Sequence, residues 1–173
     1  MHLVNTTSSV DTAPATDRDD DTGKDTDTDT DSDTALERVV VRPWHDPAMA
    51  ATGEDPRGEY VERFWLGVVG PSVVLLLRRL ARGFDEHPPG HVISLPDTAR
   101  AIGLSAGTAR NSQMMRTIDR ACMFGLMRRH DDELEVRTQV PRLTPRQLAR
   151  LPLAVRRAHD DWLRRDSTLP PAA

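Results

Sequence analysis

HVISLPDTARAIGLSAGTARNSQMMRTIDRACMFGLMRRHDDELEV, residues 91–136, is the stretch that decides the fold. Val92-Ile93-Ser94-Leu95 is strand-like, and Asp97, or Leu95-Pro96-Asp97 together, starts a short helix. In Ala99-Arg100-Ala101-Ile102-Gly103-Leu104 the small Ala99 lets two helices approach closely. Gly103 permits a left-handed turn between them. Ser112 is the expected N-cap of the next helix. At 100° per residue, Met114, Met115, Ile118, Ala121, Cys122 and Gly125 share one arc. Gln113, Arg116, Thr117, Arg120 and Met123 fall on the opposite arc. Leu126-Met127-Arg128-Arg129 and Leu134-Glu135-Val136-Arg137 then flank His130-Asp131-Asp132-Glu133, a hairpin of two short strands around an acidic turn.

Outward from this stretch, the charge divides the chain. Residues 1–58 hold 14 acids against 5 bases, and residues 59–173 hold 13 against 18. The C-terminal part is mildly basic and the N-terminal part strongly acidic, so the overall net charge of −4 describes neither. Lys24 is the sole lysine among 23 basic residues. That bias fits a GC-rich genome, so the placement of arginines carries more weight than their number.

Residues 1–35 are Asp, Thr and Ser with almost no large apolar side chains. They cannot bury enough surface to offset the entropy of ordering, and a disordered acidic tail is expected. The run Asp25-Thr26-Asp27-Thr28-Asp29-Thr30-Asp31-Ser32-Asp33 alternates aspartates but lacks the turn glycine and distal glutamate of a calcium loop. A sharper idea is that the tail mimics nucleic-acid charge and covers the basic face. Residues 36–58 read as a linker with an apolar island, Leu36 to Trp44, expected to dock as an edge strand. Glu59 opens a helical segment with Tyr60, Phe64 and Val68 at helical spacing. Gly70-Pro71 interrupts it, and a new helix runs to about Gly83 with Val74, Leu77 and Leu80 inward. Thr144-Pro145 caps a short helix over 148–151. Pro152 begins another, with Val155, Ala158, His159 and Trp162 on one face. The C-terminal helices span 144–165, and a flexible tail covers 166–173.

Several function classes find no support. Phe64 to Leu77 is apolar but holds Gly67, Gly70 and Pro71 and falls short of the roughly 20 residues a membrane span needs. No secretory signal is visible at the N-terminus, and the single Cys122 fits a reducing cytoplasm. Among the six histidines, His87 and His91 have metal-like spacing, but Pro88-Pro89 forbid a helix between them. His159-Asp160-Asp161 has no nucleophile or phosphate loop beside it. No catalytic residues, no metal and no cofactor are expected, and the chain is not expected to be an enzyme.

The order strand, helix, glycine turn, arginine-faced helix and hairpin resembles the winged helix-turn-helix superfamily of bacterial DNA-binding regulators. The likeness covers about residues 71 to 137, and 59–143 is taken as the domain. Tyr60-Val61-Glu62-Arg63-Phe64-Trp65-Leu66, Gly70-Pro71-Ser72 and Arg110-Asn111-Ser112-Gln113-Met114-Met115-Arg116-Thr117 are also similar to an uncharacterised family of GC-rich bacteria. The resemblance implies a mainly α fold with a small β-hairpin, a winged helix-turn-helix domain carrying extra N- and C-terminal helices. It implies sequence-specific binding of double-stranded DNA and transcriptional regulation, with helix 112–124 in the major groove. Gln113, Arg116, Thr117 and Arg120 would meet bases, since arginine pairs with guanine edges and glutamine with adenine. Arg110, Arg128, Arg129 and Arg137 would meet phosphates, and Asn111 sits in the turn ahead of the helix. A homodimer is a further candidate partnership.

Two departures favour an alternative, a protein–protein adaptor that keeps the shape without DNA. The hairpin tip carries Asp131, Asp132 and Glu133, which repel phosphates. The turn from Gly103 to Asn111 is longer than the three or four residues usual in the superfamily.

Overall fold

The computed structural model describes residues 37–107 and 109–166. The acidic tail over 1–35 lies outside the described residues, as does 167–173 of the C-terminal tail. Helices predominate over a small four-stranded sheet, and no helix among the described residues is long and apolar enough to cross a membrane.

The strands are β1 (Arg38–Trp44), β2 (His91–Ser94), β3 (Met127–His130) and β4 (Glu133–Arg137). Their order is β2-β1-β4-β3, with β1 antiparallel to β2 and parallel to β4. The island expected over Leu36 to Trp44 is, over Arg38–Trp44, an interior strand and not an edge. Val39 and Val41 alternate with the exposed Arg38 and Arg42, and Val41 is fully buried. Four residues of β1 pair with β2 and five with β4, so the hairpin expected from local sequence becomes the far half of a larger sheet. Residues 45–58 are tied in as well. Glu54 and Val140 exchange backbone hydrogen bonds at 2.8 Å in each direction.

Helix α1 combines a π-turn, Val61–Trp65, with the α-helical Leu66–Val69. The wider turn adds one residue to the period. The buried column thus passes from Tyr60 and Phe64 to Trp65 and Val69, and Val68, expected inward by simple spacing, is only half-buried. Gly70 ends α1 at φ 84°, a conformation glycine adopts without strain. Pro71 begins α2 (Pro71–Glu86), which buries Val73, Val74, Leu76, Leu77, Leu80 and Phe84. It runs one turn past the Gly83 expected as its end.

Ser94, not Asp97, caps α3 (Leu95–Ala101): its Oγ accepts from the Asp97 N–H at 3.3 Å. Ser112 caps α4 (Gln113–Met123) as expected, accepting from the Met115 N–H. Met114, Met115, Ile118 and Ala121 bury its inner side. A capping box at Thr144 and Gln147 opens α5 (Pro145–Leu148), which starts earlier than 148.

Helix α6 (Leu153–Asp166) folds back on α1. His159 is buried there, its ring edge-on to Tyr60 and Phe64, with Trp162 beside both. Its Nε2 shares a 2.8 Å hydrogen bond with the Tyr60 hydroxyl, and the same oxygen accepts from the Leu143 N–H at 2.9 Å. Burial raises the Tyr60 pKa to about 12 and lowers that of His159.

Candidate nucleic-acid interface

The outer side of α4 carries Gln113, Arg116, Asp119, Arg120 and Met123, all exposed. Met123 is 79% exposed, the most open large apolar side chain among the described residues. Just ahead of the helix, Arg110 and Asn111 are exposed in the turn. Among the described residues, Arg110, Asn111 and Arg116 have no side-chain partner.

Gln113 is partly committed. Its Oε1 accepts from both the N–H and the hydroxyl of Ser105, at 3.2 and 3.3 Å. This ties the long turn back to the first residue of α4 and leaves the Gln113 amide NH₂ for a ligand.

Thr117 leaves the expected base-reading set. It is 7% exposed, and its hydroxyl donates to the Gln113 carbonyl at 2.8 Å. The apolar arc of α4 is wide enough to take in this methyl-bearing side chain, and hydroxyl back-bonding within the helix satisfies its polar end.

Arg120 is exposed but held. Its Nε donates to the Val69 carbonyl at 2.8 Å and its Nη2 to the Val68 carbonyl at 2.7 Å. Helix ends leave carbonyls without intrahelical partners, and α1 ends here at Gly70. The guanidinium caps that end and lies 5.5 Å from the Phe124 ring.

On the hairpin, Arg137 is structural. Its side chain is 13% exposed, donates to the Gly125 carbonyl at 2.7 Å and pairs with Asp46 at 2.7 Å. The Arg137 hydrogen bond, joined by the Ala48 N–H, holds the Asp46 carboxyl below its ordinary range. Arg137 and Arg128 both stack on Trp44, at 3.7 and 3.6 Å from the ring centroid. Arg128 is the outward member, exposed, and its charge helps to lower the Asp46 carboxyl, although it makes no hydrogen bond to it among the described residues. Arg129 bridges to Asp119 at 3.0 Å and so joins β3 to the outer side of α4. At the tip, Asp131 takes φ 47° and stays exposed with Asp132, while Arg42 grips Glu133 with two nitrogens.

Of the expected contacts, the structure leaves Arg110, Asn111 and Arg116 open, Gln113 half open, and Arg128 exposed but stacked on Trp44. Arg120, Arg129 and Arg137 are engaged, and Thr117 is buried. Asp119 belongs on the open face by the same 100° spacing that placed Arg116 there, and its acid reduces the positive field. Trp44, the stacking base of the hairpin, had no local signal, because the arginines that cover it, Arg128 and Arg137, lie far along the chain.

The chain matches no known family model, no curated protein and no solved structure.

Proposed function

We propose that the protein is a winged helix-turn-helix transcriptional regulator that binds double-stranded DNA through the N-terminal half of α4. The observation that carries this is Arg116. It stands exposed and unpartnered on a helix whose opposite side is core, one turn after a tightly capped N-terminus. A guanidinium fixed on a rigid helix, but not spent on the protein itself, has the geometry that bidentate guanine recognition requires. Gln113, with its NH₂ available, sits one turn earlier. Arg110 precedes the cap and Arg128 projects from β3, where phosphates flanking a groove would lie.

Selection from a random duplex library, followed by binding of the selected site across a salt series, tests this reading. Enrichment of a discrete sequence and a log–log salt slope are expected. Arg128→Ala should weaken all sequences alike and lower the slope by about one ion. Recovery of no preferred sequence, with salt-insensitive or absent binding, contradicts it.

The adaptor reading has its own support: Asp119 on the open face, Asp131 and Asp132 exposed at the tip, and Met123 exposed at the end of α4. A partner that stays bound after nuclease treatment would favour it.

A further inference from the structure

The turn between α3 and α4 comes back onto the helix it precedes. Gly103 leaves α3 at φ 78°. Leu104 then returns to the domain: its N–H donates to the Ala99 carbonyl at 2.9 Å, and its side chain packs against the core. That anchors the next residue, Ser105, beside the start of α4.

Ser105 fixes the Gln113 amide. Its backbone N–H lies 3.2 Å and its hydroxyl 3.3 Å from the same end of that amide. The two ends of a glutamine amide look alike, and their hydrogen-bond partners decide which is which. A backbone N–H can only donate, so the end it meets is the oxygen. That oxygen has two lone pairs, and Ser105 supplies a donor to each. What remains is the NH₂, two donors and no acceptor, exposed and without a partner among the described residues. The backbone beneath it is held as well. Ser112 caps the helix, and the Thr117 hydroxyl donates to the Gln113 carbonyl at 2.8 Å.

An unconstrained glutamine pairs with adenine because it accepts from N6 and donates to N7 at once. Here the acceptor is occupied. Guanine presents two acceptors on its major-groove edge, N7 and O6, and thymine presents one, O4. Cytosine presents a donor, which an NH₂ repels. We propose that Ser105 is a positioning residue that makes Gln113 a donor-only reader, so that Gln113 selects guanine and not adenine. The inference rests on the DNA-binding reading of α4 and sharpens it. Arg116, one turn on, is donor-only by its chemistry and matches guanine too. The two side chains therefore specify guanine at two positions, where residue types alone give one adenine and one guanine. Adenine pairing would strip both bonds from Ser105 and leave its N–H without an acceptor.

Duplex selection, followed by competition with all four bases at every position of the selected site, tests the proposal. It is run on the parent, Gln113→Ala, Gln113→Glu, Ser105→Ala and Ser105→Thr. The base pair that Gln113 reads is the one whose preference Gln113→Ala relaxes; Asn111, with its own amide open, can take an adenine elsewhere. At that pair the parent should favour guanine over adenine by roughly tenfold. Ser105→Ala frees one lone pair of the amide oxygen, and adenine should gain roughly threefold or more on guanine. The preference at the pair read by Arg116 should not move, whereas a merely structural loss would weaken all duplexes alike. Ser105→Thr keeps the hydroxyl and should keep the parent's preference. Gln113→Glu turns an acceptor outward in place of the NH₂ and should favour cytosine. Three results overturn the inference while DNA binding stands: adenine preferred at that pair by the parent, a Ser105→Ala preference identical to the parent's, or no pair relaxed by Gln113→Ala. A parent that enriches no sequence overturns the DNA-binding reading, and this inference with it.

Discussion

The two ends of α4 use the same side chain in opposite ways. At the C-terminal end, Arg120 caps the carbonyls of α1, Arg129 pairs with Asp119, and Arg137 is sunk between Gly125, Asp46 and Trp44. At the N-terminal end, Arg110 and Arg116 meet no side chain or carbonyl among the described residues. A guanidinium offers five donors in a fixed fork. Where the backbone presents unpaired carbonyls the fork is consumed by folding, and where it does not the fork remains for a ligand. Arginine abundance on a face is therefore a poor guide to binding until the nearby carbonyls are counted.

The largest expected effect lies at the structural end. Arg137→Ala leaves the part-buried Gly125 carbonyl without its donor and uncovers the Trp44 ring, and should destabilise the protein by about 2 kcal/mol. Chemical denaturation measures it, and a loss below about 0.5 kcal/mol would show that Trp44 and Asp46 hold the hairpin without it. Arg120→Ala should cost less, about 1–2 kcal/mol, because the α1 carbonyls it caps can partly turn to water. A matching drop in DNA affinity with no change in stability would instead move Arg120 to the open end.

A smaller effect separates the aromatic cluster from both ends. Burial lowers the pKa of His159, and that of His91 likewise. The unfolded chain, with histidine near 6.5, binds the proton more readily. Stability is thus fully present above about pH 6.5 and declines as the pH falls below it. His159→Gln should flatten that decline while leaving the part due to His91. An unaltered acid slope would show that the α6 contact does not sense the proton.

Local pattern carried much of this architecture. The Ser112 cap, the inner arc of α4, the two strands around His130–Glu133 and the α6 face all follow from spacings within a turn or two. Long-range partners did not. Val39-Val40-Val41 reads as a strand, but nothing nearby says that it enters between β2 and β4, about fifty and ninety residues onward. The carbonyls that occupy Arg120 belong to Val68 and Val69, and their need arises from a helix end at Gly70. Thr117 looked polar on the wheel, and only the width of the packed arc removes it from the surface. Asp119 was legible, since the spacing that exposes Arg116 exposes it too.

The most direct measurement pairs thermal melting with duplex binding for Arg116→Ala, using the DNA sequence selected by the parent protein. Stability should stay within about 0.5 kcal/mol. Affinity for the selected site should fall by 1–3 kcal/mol, roughly tenfold or more, with relaxed preference at one base pair. Unchanged affinity, or a loss of stability comparable to that of Arg137→Ala, would contradict the claim that the N-terminal half of α4 is held open for DNA.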